Sequence, residues 1–262
     1  MIETIIIFIF ILLAAASGYH FKSLTQSGAF AASIVGLAVY LGFGVNGICL
    51  LGAFYTSSSF WSKYKSSSKY IIEEKLAKGA TRDWGQVAAN GGAAGLFSII
   101  HYFNHDMIWL IGFLVCLASA NSDTWASEIG SLSKQDPLYI RTFKRVEKGT
   151  SGAISFLGSA ASFAGSFLIS IIGFWLFDLD LFLTCLVFLF GYLGNVIDTL
   201  IGAYYQQVYV CGQCGIETEK KSHCQMQTTR IKGWGFVDND MVNFLSGFIA
   251  ALLAIIITYL NK

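Results

Sequence analysis

Charge is scarce in this chain. Asp, Glu, Lys and Arg make up 13% of its 262 residues, about half the share of an ordinary soluble domain. That is too little to coat a large surface facing water. Proline is nearly absent, at one residue, and disordered chains, which are polar and proline-rich, are excluded. The Gly-X-Y period of collagen and the heptads of a coiled coil are missing as well. With a net charge of +1, the chain has no global basic face for nucleic acid. It contains no P-loop and no protein-kinase motif set. What it has in quantity is apolar: 55% hydrophobic residues, with 22 Phe and 27 Gly. This composition describes an all-α polytopic membrane protein.

A crossing helix takes about 20 mostly apolar residues. Stretches 2–19, 86–102, 107–128, 151–176, 181–204 and 241–260 qualify, and 28–61 holds two crossings if it turns near Gly42-Phe43-Gly44. The count is then eight, or seven if 28–61 crosses once. The first stretch carries Glu3 and no basic segment before its apolar run, so it reads as a retained helix rather than a cleaved signal. Lys and Arg gather in 62–85, 129–150 and 205–240. With eight spans these loops and Lys22 share one side, leaving only Lys262 of the 17 cations on the other. The short opposite connections carry Asp106, Asp178 and Asp180. The positive-inside rule then predicts a multi-pass protein of the cell membrane, with its large loops cytoplasmic and both termini outside. No loop is long enough to fold alone. Residues 1–262 are therefore one membrane domain, and 205–240 is its largest cytoplasmic loop.

Charges inside spans are costly and are functional candidates by default. Two clusters stand out. The run from Asn121 through Asp123, Thr124, Ser127 and Glu128 to Gly130 ends the fifth span. The run from Gly194 through Asn195, Asp198, Thr199 and Gly202 to Ala203 ends the seventh. Helical spacing puts Asn121, Thr124 and Glu128 on one face, with Asp123 and Ser127 on a neighbouring one; Asn195, Asp198, Thr199 and Gly202 share a face likewise. Each cluster reads Asn, then Asp-Thr. The preceding spans open with Gly91-Gly92-Ala93-Ala94-Gly95 and Gly149-Thr150-Ser151-Gly152-Ala153. The pattern fits a parallel duplication of a helix pair, and it fits shared small-residue composition equally well.

The other polar span ends lie on the same side. Arg82, Gln86 and Asn90, spaced i, i+4 and i+8, form one stripe at the start of the fourth span. Ser151 and Gly152 open the sixth, and Asp238, Asn239, Asp240 and Asn243 open the eighth. An ion path would spread acids through the membrane depth. Convergence at one interface suits an enzyme that joins a water-soluble reactant to a lipid. Asp123, Glu128 and Asp198, with Asn and Thr oxygens, form a hard-oxygen set apt for Mg²⁺. Arg82 and lysines suit phosphate oxygens, and Gly-rich helix N-termini suit anions. These are the parts of phosphoryl transfer. Taken singly, the same residues also read as structural ion pairs, topology charges or close-packing glycines.

Cys49, Cys116 and Cys185 lie in apolar spans and read as small buried hydrophobes. In the last loop, Cys211-Gly-Gln-Cys214 followed by His223-Cys224 has zinc-ligand types at a knuckle-like spacing. Reduced thiols are the alternative there, a cytosolic face disfavouring a disulfide.

The blocks TRDWGQVAANG (81–91), NSDTWASEIG (121–130), GTSGAIS (149–155) and NVIDTLIGA (195–203) carry a resemblance. On them the chain resembles domain-of-unknown-function family 92 of integral membrane proteins. The cysteine loop with Glu217, and the block Asn239-Asp240-Met241-Val242-Asn243, fit it too. The resemblance covers about residues 20–250. The family includes the plant phytyl-phosphate kinase of vitamin E synthesis. The resemblance therefore implies phosphorylation of an isoprenoid monophosphate, phytyl or another polyprenyl phosphate, by a nucleoside triphosphate. On that reading Asp123, Glu128 and Asp198 hold Mg²⁺, and Asn90, Asn121 and Asn195 orient phosphate or metal-bound water. Arg82 neutralises charge on the transferred group. Gln86, Thr124, Ser151, Gly152, Thr199, Asp240 and Asn243 complete the phosphate site. The expected partners are the bilayer, the isoprenoid phosphate and the nucleotide, with no nucleic acid. The alternative is a transporter or flippase of a polyprenyl-phosphate lipid or small anion, using the same acids for coupling.

Overall fold

The structure is a computed structural model that describes residues 2–64 and 70–260. Lys65, Lys69 and Lys262, three of the cations counted above, lie outside the described residues. The long helices are α1 (Ile2–His20), α2 (Gln26–Lys63), α4 (Trp84–Asn104), α5 (Ile108–Gly130), α6 (Phe156–Phe177), α7 (Leu181–Tyr204) and α8 (Asn239–Leu260), with a short α3 (Tyr70–Lys75) between α2 and α4. Six of them are long and apolar enough to cross a membrane. The seventh, α4, has 21 residues, about 31 Å at 1.5 Å per residue, and is less apolar.

Helix α2 doubles back on itself. Gly44 interrupts it with φ 59° and ψ −148°, a left-handed conformation that glycine adopts at least cost. Near the start of α2, Gly28 packs on the carbonyl of Arg82; midway, Gly42 packs on the backbone of Ser98. Near its end, Ser59 and Ser62 accept hydrogen bonds from the Arg82 guanidinium. Both ends of α2 thus meet at Arg82, and its middle reaches the far end of α4. The turn falls in the Gly42-Phe43-Gly44 run, and the two arms are separate crossings. Together with α4 they bring the crossing segments to eight.

At the centre stands α5, packed against α2, α4, α6, α7 and α8. Over its most apolar window 78% of residues are buried, against 17% for α1, which lies on the outside against α2. Phe97, Phe113, Leu114, Leu117, Ile169 and Val187 fill the core around α5. Small residues let the helices close in: Gly191 and Gly194 of α7 leave no room for a Cβ against Ala118 and Ser119 of α5. Cys116 is buried in this core. Cys49 and Cys185, expected to be buried, instead face outward from the bundle.

The basic loops fold into small sheets that helical periodicity did not announce. After α5, β1 (Leu138–Tyr139) pairs antiparallel with β2 (Lys144–Arg145) and β3 (Ala153–Ile154). After α7 come β4 (Val208–Val210), β5 (Glu217–Thr218), β6 (Ser222–His223), β7 (Met226–Gln227) and β8 (Thr229–Lys232). There β4 lies between β5 and β8, and β6 and β7 form a hairpin. The α1–α2 linker joins the same end. Leu24 forms a parallel bridge to Arg82, with Arg82 N donating to Ser23 O and Thr25 N donating to Arg82 O, each at 3.0 Å.

Two span starts move. The sixth span begins at Phe156, not 151, with Ser155 Oγ accepting from Gly158 N at 3.0 Å as its cap. Gly149 and Gly152, both at φ 83°, belong to a turn before it, so Ser151 and Gly152 are not at a helix N-terminus. The fourth span begins at Trp84, where Asp83 and Gln86 cap each other's backbone N–H. Gly91 and Gly95 are therefore mid-helix, packed on Val35 and Ala38 of α2. The N–H groups of Gly91 and Gly95 are spent in the helix, so that glycine run presents no helix N-terminus to an anion.

Candidate functional site

Where α5, α7 and α8 end beneath the loops, they enclose a cavity of about 360 Å³. Asp123, Ser127 and Glu128 line it from α5, and Asn195, Asp198 and Thr199 from α7. Asp240 lines it from the start of α8, just after Asp238. Lys78 and Gln86 close one side, Lys148, Ser151 and Gly152 another, and Gln206 and Glu219 a third. All three basic loops therefore share one face and contribute to one site. Among the described lining residues, the carboxylates of Asp123, Glu128, Asp198, Glu219, Asp238 and Asp240 outnumber the amines of Lys78 and Lys148.

Several of the charged groups are held by named partners. Asp198 Oδ2 accepts from Ser246 Oγ at 3.1 Å. The Asn243 amide nitrogen, turned toward the same oxygen, donates to it at 3.1 Å and to Asn239 O at 3.1 Å. Asn243 thus serves the site by fixing Asp198, not by lining the cavity. Asp123 and Asp198 lie within electrostatic reach of each other. Lys78 is paired with Asp83 at 2.8 Å and with Asp240. Partial burial would lower the Lys78 pKa, but the bonds to Asp240 and Asp83 outweigh it and raise the net value. Lys148 Nζ donates to the carbonyls of Ser131 and Ser133.

Arg82 donates to Ser59 Oγ at 2.9 Å and to Ser62 Oγ at 3.4 Å. Burial lowers its pKa, and the nearby charge of Glu128 pulls the other way. Glu219 accepts from Gln206 Nε2 at 2.6 Å and from Ala77 N at 3.2 Å. Burial pushes its pKa up despite these bonds, helped by Asp238 and Asp240. Gln206 also accepts from Ser151 Oγ at 2.6 Å, so it ties the second loop to the third.

Several expected members lie elsewhere. Asn121 is fully buried, donates to Gly165 O at 2.8 Å and accepts from Ser57 Oγ at 3.0 Å and Ser58 Oγ at 3.2 Å. It pins α5 to α6 and α2. Thr124 returns its hydroxyl to Ala120 O at 2.8 Å, and Asn90 donates to Gln86 O at 2.9 Å; neither lines the cavity. The cause on α5 is angular. At about 100° per residue, Asn121 lies about 200° round the helix from Asp123, whereas Asn195 lies about 60° from Asp198. The stripe of Arg82, Gln86 and Asn90 fails because Arg82 precedes the Asp83 cap and is outside the helix; of the three, only Gln86 lines the cavity. Glu219, Lys78, Lys148 and Gln206 were not among the expected site residues, whereas Asp238 is among the polar residues that the sequence places at the start of the eighth span. Those four sit in loops with no periodicity to point at a face, and the one available signal for Glu219 was its place between two cysteine motifs.

For metals, the structure separates two donor sets. Asp123, Glu128 and Asp198 are not gathered as a tight three-ligand group. Among the described residues that arrangement belongs to Cys211, Cys214, His223 and Cys224. The acidic cavity suits a hard cation all the same, since Mg²⁺ takes one or two carboxylates and completes its shell with water and phosphate.

A profile of the family Integral membrane protein DUF92 matches residues 9–251. The chain is 34% identical over 189 residues to Uncharacterized membrane protein MJ0933 of Methanocaldococcus jannaschii, covering 71% of this chain and 76% of that one. It is 29% identical over 267 residues to Protein PGR of Arabidopsis thaliana, covering 92% and 91%. It is 24% identical over 238 residues to Protein VTE6, chloroplastic, of the same plant, covering 89% and 65%. No solved structure matches the chain.

Proposed function

Because the chain belongs to the DUF92 family of integral membrane proteins, we propose that it is a membrane-embedded isoprenoid monophosphate kinase. Its acceptor is a phytyl or polyprenyl phosphate, and its donor is a nucleoside triphosphate arriving at the loop-bearing face. By the positive-inside rule that face is cytoplasmic in a cell membrane. The reaction class rests on the resemblance to a family that includes the plant phytyl-phosphate kinase. The observation that supports it is the acidic cavity where α5, α7 and α8 meet the loops. There a lipid headgroup and a soluble nucleotide come within reach of the same side chains.

The chemistry asks for charge control more than for a base. A prenyl monophosphate is already largely dianionic at neutral pH, its second pKa being about 6. Its oxygen bonds to the terminal phosphorus of the nucleotide as the bond to the bridging oxygen breaks, giving a prenyl diphosphate and a nucleoside diphosphate. The obstacle is repulsion among phosphates. Asp123 and Asp198 would hold Mg²⁺, which when bound neutralises phosphate oxygens and keeps them in line. Lys78 and Lys148 add positive charge at the rim, and Asn195 offers hydrogen bonds beside Asp198, while Thr199 lines the cavity with its hydroxyl proton donated to Asn195 O at 3.0 Å. Arg82, behind Glu128, acts as a positioning residue. The prenyl tail lies among the Gly- and Phe-rich helices.

A transporter or flippase would need polar residues meeting from both faces near the midplane. The carboxylates of this cavity are gathered at one end, which favours the kinase. The test is transfer of labelled terminal phosphate from nucleoside triphosphates to phytyl or polyprenyl phosphate by protein in detergent with Mg²⁺. A labelled prenyl diphosphate is expected. Its absence with every nucleotide and prenyl phosphate tried, or its persistence in the Asp123→Asn, Asp198→Asn double variant, refutes the assignment.

A further inference from the structure

We infer that Cys211, Cys214, His223 and Cys224 bind one Zn²⁺, and that this ion closes the loop that carries Glu219 into the cavity. The four ligand atoms lie within 4.8 Å of one another. His223 Nδ1 stands 3.4 Å from Cys214 Sγ and 3.2 Å from Cys224 Sγ. A tetrahedral zinc with bonds of about 2.3 Å to sulfur and about 2.05 Å to nitrogen has S···N edges near 3.6 Å and S···S edges near 3.8 Å. The ligand atoms are therefore gathered close to the spacing such an ion requires. Three thiolates and one imidazole leave no open position, which describes a structural zinc rather than a catalytic one.

The backbone is shaped for the same purpose. The turn holding Cys211 and Cys214 is closed by Gly215 N donating to Cys211 O at 2.9 Å and Cys211 N donating to Ile216 O at 3.0 Å, with Gly215 at φ 73°. The second pair of ligands sits at the β6–β7 turn, where Cys224 and Gln225 hold φ 50° and 61°. Two-residue turns of this kind favour Asn-Gly, because both residues are left-handed. A cysteine and a glutamine held there mark strain at a functional position, and a metal bond to Cys224 compensates for it.

Between Cys214 and His223 the chain forms a loop, 215–222. Its ends are the ligands, and its middle is docked on the last residue of α3 and the segment that follows it. Thr218 Oγ1 and Glu219 N both donate to Lys75 O at 2.8 Å, and the Glu219 carboxylate accepts from Gln206 and Ala77. Fixing both ends removes the entropy of an open loop. The metal thus sets Glu219 in the cavity wall, and this holds whatever the cavity binds.

Full-length protein purified in detergent without chelator should carry one zinc per chain by elemental analysis. Replacing the zinc with Co²⁺ should give the visible d–d absorption of tetrahedral, thiolate-bound cobalt. Cys224→Ser should lose both signals. Stripping zinc from the wild type should expose 215–222 to protease, while Glu219→Gln should leave the zinc content unchanged. Absence of zinc together with absence of the cobalt spectrum, or recovery of these cysteines as a disulfide, overturns the metal site. Unchanged proteolysis after zinc removal overturns its role in holding Glu219.

Discussion

Two helices end in nearly the same words and use them differently. On α7, Asn195, Asp198 and Thr199 all line the cavity. On α5, Asp123 lines it, while Asn121 and Thr124 bond to neighbouring or own-helix backbone. One residue of spacing between Asn and Asp makes the difference. It sends one asparagine toward the cavity and the other into the seam between three helices. A polar side chain in a membrane helix must find partners wherever it points. Asn121 finds Gly165, Ser57 and Ser58; Asn195 borders a polar cavity. Similar sequence in two spans therefore does not establish duplicate function.

The contrast can be broken most decisively at its shared element. Asp123→Asn with Asp198→Asn should cut phosphoryl transfer by about 10³-fold or more, an effect of the size seen when electrostatic groups are removed from active sites. The helical content should stay intact by circular dichroism. The two asparagines come next. Asn121→Ala removes three interhelical hydrogen bonds and should cost about 2–3 kcal/mol on unfolding in detergent, from bonds worth about 0.6 to 1.7 kcal/mol each. Asn195→Ala should cost under about 1 kcal/mol and lower activity instead. Equal destabilisation by both would erase the distinction.

A smaller effect separates the cavity wall from the pair. The Glu219 pKa is raised by burial, so its contribution to stability is present below the ordinary glutamate range and lost as pH rises through its folded pKa. Glu219→Gln should flatten the fall in melting temperature as pH rises above the ordinary glutamate range by about 2–4 °C, the shift that roughly 1 kcal/mol produces in a chain of this size. The smallest effect is at the α4 cap. Asp83→Ala should cost about 1 kcal/mol by removing the Gln86 cap. Hydrogen bonds from Lys78 and the backbone outweigh burial and lower the Asp83 pKa. The wild-type advantage is thus present above the ordinary aspartate range and should fade as pH falls through the folded value. Thermal unfolding of both proteins across acidic pH checks the sign.

Much of the bundle was legible because membrane crossing is a coarse constraint. Length, hydropathy and the side on which cations gather gave the two arms of α2, and Gly44 supplied the turn between them. The end of the bundle holding the acids was legible for the same reason. Which way each side chain faces was not. Helical spacing relates residues of one helix to each other, but only the neighbours decide which side is wet. So Asp123 and Ser127 line the cavity, although Asn121 and Thr124 looked equally suitable. Arg82 was misread because a cap at Asp83 moved the helix start past it. The loops were least legible, since two-residue strands such as β5 and β6 have no period to detect, and Lys78, Lys148, Gln206 and Glu219 come from there.

The burial of α5 has a consequence for how the protein is made. A helix that gives so little of its surface to lipid has no need to be strongly apolar, and its neighbour α4 is less apolar still. Yet each must leave the insertion machinery for the bilayer while the chain is still being synthesised. The order of synthesis supplies the remedy. Both arms of α2 emerge first and offer α4 a complementary surface at Val35 and Ala38. Then α4 and α5 can partition as a pair, not one by one. Bulky substitutions on that α2 surface should therefore first appear as misinserted α4, before any defect in the finished protein.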